Sequence, residues 1–138
     1  MMKLFKYFFL WFIGGLVYYY IEILYRGHSH WTMFCLGGIC FICMGIFNEI
    51  WSWDTPLWKQ MLFGGITTTL FEFVVGCLVN LCLDWNVWDY SHLPFNILGQ
   101  VSLVFTFIWC GLSLIGIILD DWIRYIIFNE EKPKYRLF

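Results

Sequence analysis

Charge is what this sequence has least of. Only 13% of its 138 residues are Asp, Glu, Lys or Arg, against about 25% in a typical soluble domain. The formal net charge is -2, and that missing basic surplus excludes a nucleic-acid partner, which would need a positive face. Signatures of several enzyme classes are missing too. Gly-x-x-x-x-Gly-Lys-Ser/Thr, Gly-x-Ser-x-Gly and His-Glu-x-x-His do not occur, so the chain carries no phosphate-binding loop, nucleophile elbow or zincin helix of its own. No small-x-small cleavage site follows the first apolar run, which therefore reads as a retained helix and not as a signal peptide.

What is there is apolar: 61% of the residues are hydrophobic and 23% aromatic, with 15 Phe, 9 Trp and 8 Tyr. In water such a surface would aggregate; in a bilayer these residues face lipid or the headgroup layer. A span needs roughly 20 mostly apolar residues, and four windows qualify: Leu4 to Tyr25, Trp31 to Phe47, Leu57 to Leu83 and Ile97 to Leu119. The expected fold is all-α, one transmembrane domain over residues 1–138 built as a four-helix bundle, with a C-terminal tail from residue 120. Lys3, Lys6, Lys59, Arg124, Lys132, Lys134 and Arg136 would fall on one side of the membrane and only Arg26 on the other. The positive-inside rule then places both termini in the cytoplasm of a multi-pass cell-membrane protein.

The two halves resemble each other. Gly14-Gly15 is followed by Glu22, and Gly64-Gly65 by Glu72, at the same spacing fifty residues on. Further along, Met33–Ile39 can be laid over Phe95–Val101, with twelve extra residues in the second loop. A duplication would make two parallel helix hairpins related by an axis along the membrane normal. Chance recurrence of glycine among bulky apolar residues is the competing explanation.

Bundle interiors prefer small and polar residues that let backbones approach. Gly65, Thr69, Glu72, Gly76 and Asn80 share one face of helix 3, and Gly15, Tyr19, Glu22 and Arg26 one face of helix 1. Helix 4 offers Gly99, Ser102, Thr106, Cys110, Ser113, Gly116 and Asp120, and helix 2 Gly38, Gly45 and Glu49. Plain packing explains the small members of these stripes but not the carboxylates. Arg26 lies four residues after Glu22, the spacing of a same-face ion pair. Gly76 occupies the matching place after Glu72, so Glu72 must find a partner elsewhere, or water, or keep a proton. An intramembrane ionisable group is by default a functional-site hypothesis.

Between helices 3 and 4, Trp85, Trp88 and Tyr90 suit the headgroup layer, and Asn96 could cap helix 4. The segment reads as an interfacial plug or as a polar floor, with Asp89, Tyr90 and Asn96 facing Glu72 and Gln100. Glu72-Phe73-Val74-Val75-Gly76, Trp88-Asp89-Tyr90-Ser91 and Pro94-Phe95-Asn96-Ile97-Leu98-Gly99 together resemble the family called putative type IV ABC-transporter (CmpB-like), a domain shared with animal transmembrane protein 229. The resemblance implies a multispan membrane protein linked to transport, with any ATPase supplied by a separate partner.

Cys40 and Cys43 have redox or metal spacing, but they lie inside an apolar helix, where cysteine is mainly a small hydrophobe. His28, His30 and His92 fall in the outer loops without ligand spacing, so no metal or cofactor is expected. The leading expectation is a permease-like or transport-associated subunit, with Glu22, Glu72, Asn80, Asp89, Tyr90, Asn96 and Gln100 forming a polar site open to the outside. Its partners would be the lipid bilayer and either a second copy or another membrane protein. A non-enzymatic membrane scaffold is the alternative, and a membrane-embedded enzyme comes third.

Overall fold

A segment surrounded by lipid must satisfy its backbone hydrogen bonds internally, which a helix does within itself. The computed structural model describes residues 2–50 and 55–135, with side chains over 3–46 and 55–135. Its four helices are α1 (Met2–Arg26), α2 (Trp31–Ile50), α3 (Leu57–Gly76) and α4 (Leu103–Phe128). A π-helical segment, Cys77–Cys82, prolongs α3 into a rod of 26 residues. Among the described residues, α1, this rod and α4 are each long and apolar enough to cross a membrane, and α2 contributes a shorter apolar stretch, Trp31–Ile46. At 1.5 Å per residue the 20 residues of α2 reach about 30 Å, the thickness of a hydrocarbon core.

The chain forms two antiparallel hairpins, α1–α2 and α3–α4. Helix α2 packs against the other three, while α1 and α4 meet at few points. The second hairpin closes where the stripes predict. A Cβ at Gly65 would collide with Cys110 Sγ and lie 2.9 Å from the Cys110 amide nitrogen, so only glycine admits so close a backbone approach. One turn on, the Thr69 and Thr106 hydroxyl oxygens lie 2.9 Å apart, so that one donates to the other, which in turn donates to the carbonyl four residues before it. Ser113 and Asp120 are fully buried on the same stripe, whereas Phe107 and Ile126 on the opposite face are exposed and suit lipid.

The ends of α4 differ from the sequence expectation. The helix starts at Leu103 and not at Ile97, because the Ser102 side chain, not that of Asn96, accepts the Phe105 amide at 3.2 Å. Residues 96–102 form a small hairpin instead, β1 (Asn96–Ile97) paired antiparallel with β2 (Val101–Ser102). Gly99 and Ser102 therefore precede α4 and do not belong to its stripe. The hairpin also removes the second half of the proposed repeat, since Met33–Ile39 is helical and Phe95–Val101 is not. The twelve extra residues are spent on a folded loop. At its other end α4 continues past residue 120 to Phe128, where Asn129 turns into the left-handed region (φ 57°). Its charges are tolerated because Arg124 donates to Asp120 at 2.8 Å and Tyr135 to Asp121 at 2.9 Å. The expectations placed on the Glu49 side chain and on Arg136 fall outside the described residues.

Candidate functional site

The polar face of α3 sets Glu72 inward, 1% exposed. The Tyr90 hydroxyl donates to Glu72 Oε1 and the Trp109 indole N–H to Oε2, both at 2.7 Å. Tyr90 is held for this by its own surroundings. Its backbone N–H donates to the Gly99 carbonyl at 2.7 Å, and its ring stacks on Phe105 with centroids 4.5 Å apart. Burial, with the Glu72 carboxylate facing it, holds the Tyr90 phenol well above its ordinary range, so the hydroxyl remains a donor at neutral pH. Trp109 comes from the buried stripe of α4, and its ring lies 5.6 Å from that of Tyr18 on α1.

Tyr18 carries the network to the second glutamate. Its hydroxyl donates to Glu22 Oε1 at 3.0 Å, and Glu22 Oε2 lies 2.6 Å from Arg26 Nε, the ion pair anticipated from the spacing. Arg26 in turn donates to the Val87 carbonyl, in the loop between α3 and α4, at 3.1 Å. The two carboxylates thus sit in one cluster but are compensated differently. Among the described residues no Lys or Arg pairs with Glu72. The position matching Arg26 is Gly76, where a Cβ would lie 2.7 Å from Gln100 Oε1 and 2.9 Å from the Trp88 ring. The loop fills the space a cationic side chain would need.

The remaining sequence candidates divide into loop scaffold and surface. Asn80 accepts from the Val87 amide at 2.6 Å and donates to Gln100 Oε1 at 2.8 Å. Gln100 uses its amide on the Leu98 carbonyl, and its own carbonyl accepts from the Trp88 indole at 3.0 Å. Both residues are buried and fasten the loop over the bundle. Asn96 does similar work nearer the surface, donating to the Leu93 carbonyl at 2.7 Å and accepting from the Gly99 amide at 3.0 Å. Asp89 is exposed and accepts from the Ser91 amide at 2.9 Å. The hydrogen bonds from Ser91 hold its carboxyl below the usual carboxylate range, and it does not face Glu72. Of the expected polar floor, only Tyr90 reaches the glutamate.

With the loop lying over Glu72, the opening beside it runs sideways. A cleft of about 90 Å³ lies between α1 and α4, backed by α2 and α3, with Glu72, Tyr18 and Trp109 among its lining residues. Val17, Ile21 and Ile115 at its rim are exposed and would meet lipid. The cleft opens sideways between the helices.

A family model described as "Putative ABC-transporter type IV" matches residues 5–133. The chain belongs to that family. No solved structure matches it. Membership and the apolar helices together make this a multi-pass, transport-associated membrane protein.

Sequence reasoning missed two members of this cluster. Trp109 lies three residues after Thr106 and four before Ser113, so the α4 stripe already placed it inward. Tyr18 stands four residues before Glu22, one turn away on the same face. Aromatic residues in so apolar a chain read as lipid-facing, yet a buried indole N–H or phenol needs a polar partner. A second buried polar group, Asp120 with Asp121 and Arg124, lies at the end of the bundle that carries the termini. The segment after α4 folds back there, with Lys6 3.2 Å from Glu130. Among the described residues no group of three or more His, Cys, Asp or Glu side chains is placed to hold a metal ion. All six cysteines are free thiols, with Cys40 buried.

Proposed function

We propose that this chain is the permease-like, membrane-embedded subunit of a transport assembly, and that Glu72 is the centre of its solute-contacting site. The observation that carries this reading is a buried carboxylate gripped by two neutral donors, without a basic partner among the described residues, beside a cleft open to the membrane. A charge in the apolar layer costs about 2.5–3.5 kcal/mol on insertion scales when central, and a purely structural contact between α3 and α4 would be made more cheaply by an amide or a hydroxyl. Trp109 and Tyr90 fix the direction of the carboxylate, while Tyr18 and Glu22 extend the polar surface across to α1. With no phosphate-binding loop in the sequence, energy coupling falls to a separate ATPase subunit that contacts the end of the bundle bearing the termini.

The test is purification from native membranes followed by reconstitution of whatever assembly results. A co-purifying ATPase, with solute uptake that Glu72→Gln abolishes while the assembly stays intact, would sustain the reading. Co-purification with a non-transport membrane protein alone, and full function of the Glu72→Gln form, would replace it with a scaffold role.

A further inference from the structure

We infer that the cleft between α1 and α4 takes a lipophilic cation: an amphiphile whose positively charged head reaches Glu72 and whose apolar body lies toward the lipid. The inference rests on the reading of Glu72 as the solute-contacting group and names the class of solute. The body of the cleft is apolar, with Leu36 and Met44 from α2 and Leu112 and Leu119 from α4, so it offers little to a sugar or an inorganic ion. Its rim residues Val17, Ile21 and Ile115 are exposed on the lateral surface, so a molecule dissolved in the bilayer reaches it without crossing water. The cleft volume of about 90 Å³ is smaller than the ~150 Å³ apolar cavity that holds a benzene ring. It accommodates a head group and a few methylenes, and the rest of the chain must lie along the exposed rim.

The polar end selects the sign of the head. Each Glu72 oxygen accepts one hydrogen bond from the protein, and a carboxylate has about four lone-pair sites, so further donors can be received. The Tyr18 and Trp109 rings, packed with centroids 5.6 Å apart, line this end of the cleft, and aromatic rings attract cations that reach their faces within about 6 Å. An anionic head would meet Glu72, with Glu22 close behind it. A neutral head would leave Glu72 uncompensated. Only a cation supplies what Arg26 supplies to Glu22.

Equilibrium binding of dodecylammonium and of dodecanol, which share a chain and differ in charge, tests this. The purified protein is placed in neutral phosphatidylcholine nanodiscs, and uptake by empty discs is subtracted. Dodecylammonium should bind saturably and about tenfold or more tighter than dodecanol, as expected for a hydrogen-bonded charge partner. Glu72→Gln should erase the difference, and Val17→Trp, a change at the lipid-exposed rim, should weaken both ligands. Should Glu72→Gln fail to fold, the ratio in the native protein decides alone. Equal binding of the two ligands, or no saturable binding of dodecylammonium, would overturn the inference. Selective dodecylammonium binding by a chain whose assembly moves no solute would sustain it and defeat the transport reading. An assembly that transports while its subunit shows no selectivity would do the reverse.

Discussion

Replacing Tyr90 by Phe isolates one bond of the Glu72 site. The ring and its stacking on Phe105 at 4.5 Å are kept, and only the donor 2.7 Å from Glu72 Oε1 is lost. Side-chain hydrogen bonds inside membrane proteins are worth about 0.6 kcal/mol on average and up to ~1.7. A carboxylate acceptor moves the value toward the upper end, since bonds to charged groups contribute about 1.5–3 kcal/mol. Tyr90→Phe should therefore destabilise the fold by about 1.5 kcal/mol. In the Glu72→Gln background the expectation changes. The Trp109 indole can only donate, so it claims the amide oxygen, and the amide NH2 turns to the Tyr90 hydroxyl, which can accept. That neutral bond returns the cost of Tyr90→Phe to about 0.6 kcal/mol, while Glu72→Gln alone stays folded. Reversible unfolding of the four proteins of this cycle in mixed micelles gives the coupling directly. Equal costs in the two backgrounds, or no cost in either, would refute the assignment of Tyr90 as the donor that holds Glu72.

Three further outcomes follow from the same geometry. Gly65→Ala should separate α3 from α4 and destabilise by about 1–3 kcal/mol as an overpacked contact, read by the same unfolding experiment. Asn80→Ala leaves the buried Val87 amide without its acceptor, a loss of about 1–3 kcal/mol; proteolysis within residues 83–95 should accelerate while α1 and α2 stay protected. The Tyr90 phenol is raised above its ordinary 10.0, so the stability it confers is complete below that pH and is lost only as pH rises beyond it. A stability profile that already falls between pH 6 and pH 9 in the native protein, but not in Tyr90→Phe, would contradict that sign.

The spans were legible because a bilayer asks little more than length and apolarity: the first two windows fall inside α1 and α2, the third overruns its helical rod by one residue, and the fourth begins six residues before α4. The inward direction of Glu72 was legible too, since Gly65, Thr69, Gly76 and Asn80 left a helix of that phase one polar face. The start of α4 was not. Ile97, Leu98 and Val101 are as apolar as the helix that follows, and hydropathy cannot separate an interfacial hairpin from a helix end. The decisive features are backbone ones: left-handed φ at Leu98 (55°) and Gly99 (74°), and a cap at Ser102. The far end of α4 failed for the opposite reason. Asp120, Asp121 and Arg124 read as the beginning of a tail, although Asp120 and Arg124 already stand at ion-pair spacing.

The most informative disagreement lies between the two glutamates. If the halves were equivalent, Glu22 and Glu72 would be compensated alike. Glu22 carries its own cation one turn away, and that cation also ties α1 to the loop through Val87. At Glu72 the corresponding volume is taken by Trp88 and Gln100, packed on Gly76. The loop that breaks the symmetry thus does two things to Glu72. It contributes Tyr90, a donor that orients the carboxylate without neutralising it, and it packs Trp88 and Gln100 over Gly76 beside it. What remains open is the lateral cleft, whose walls are apolar. A carboxylate so placed is compensated best by a positive charge that can itself enter from the lipid.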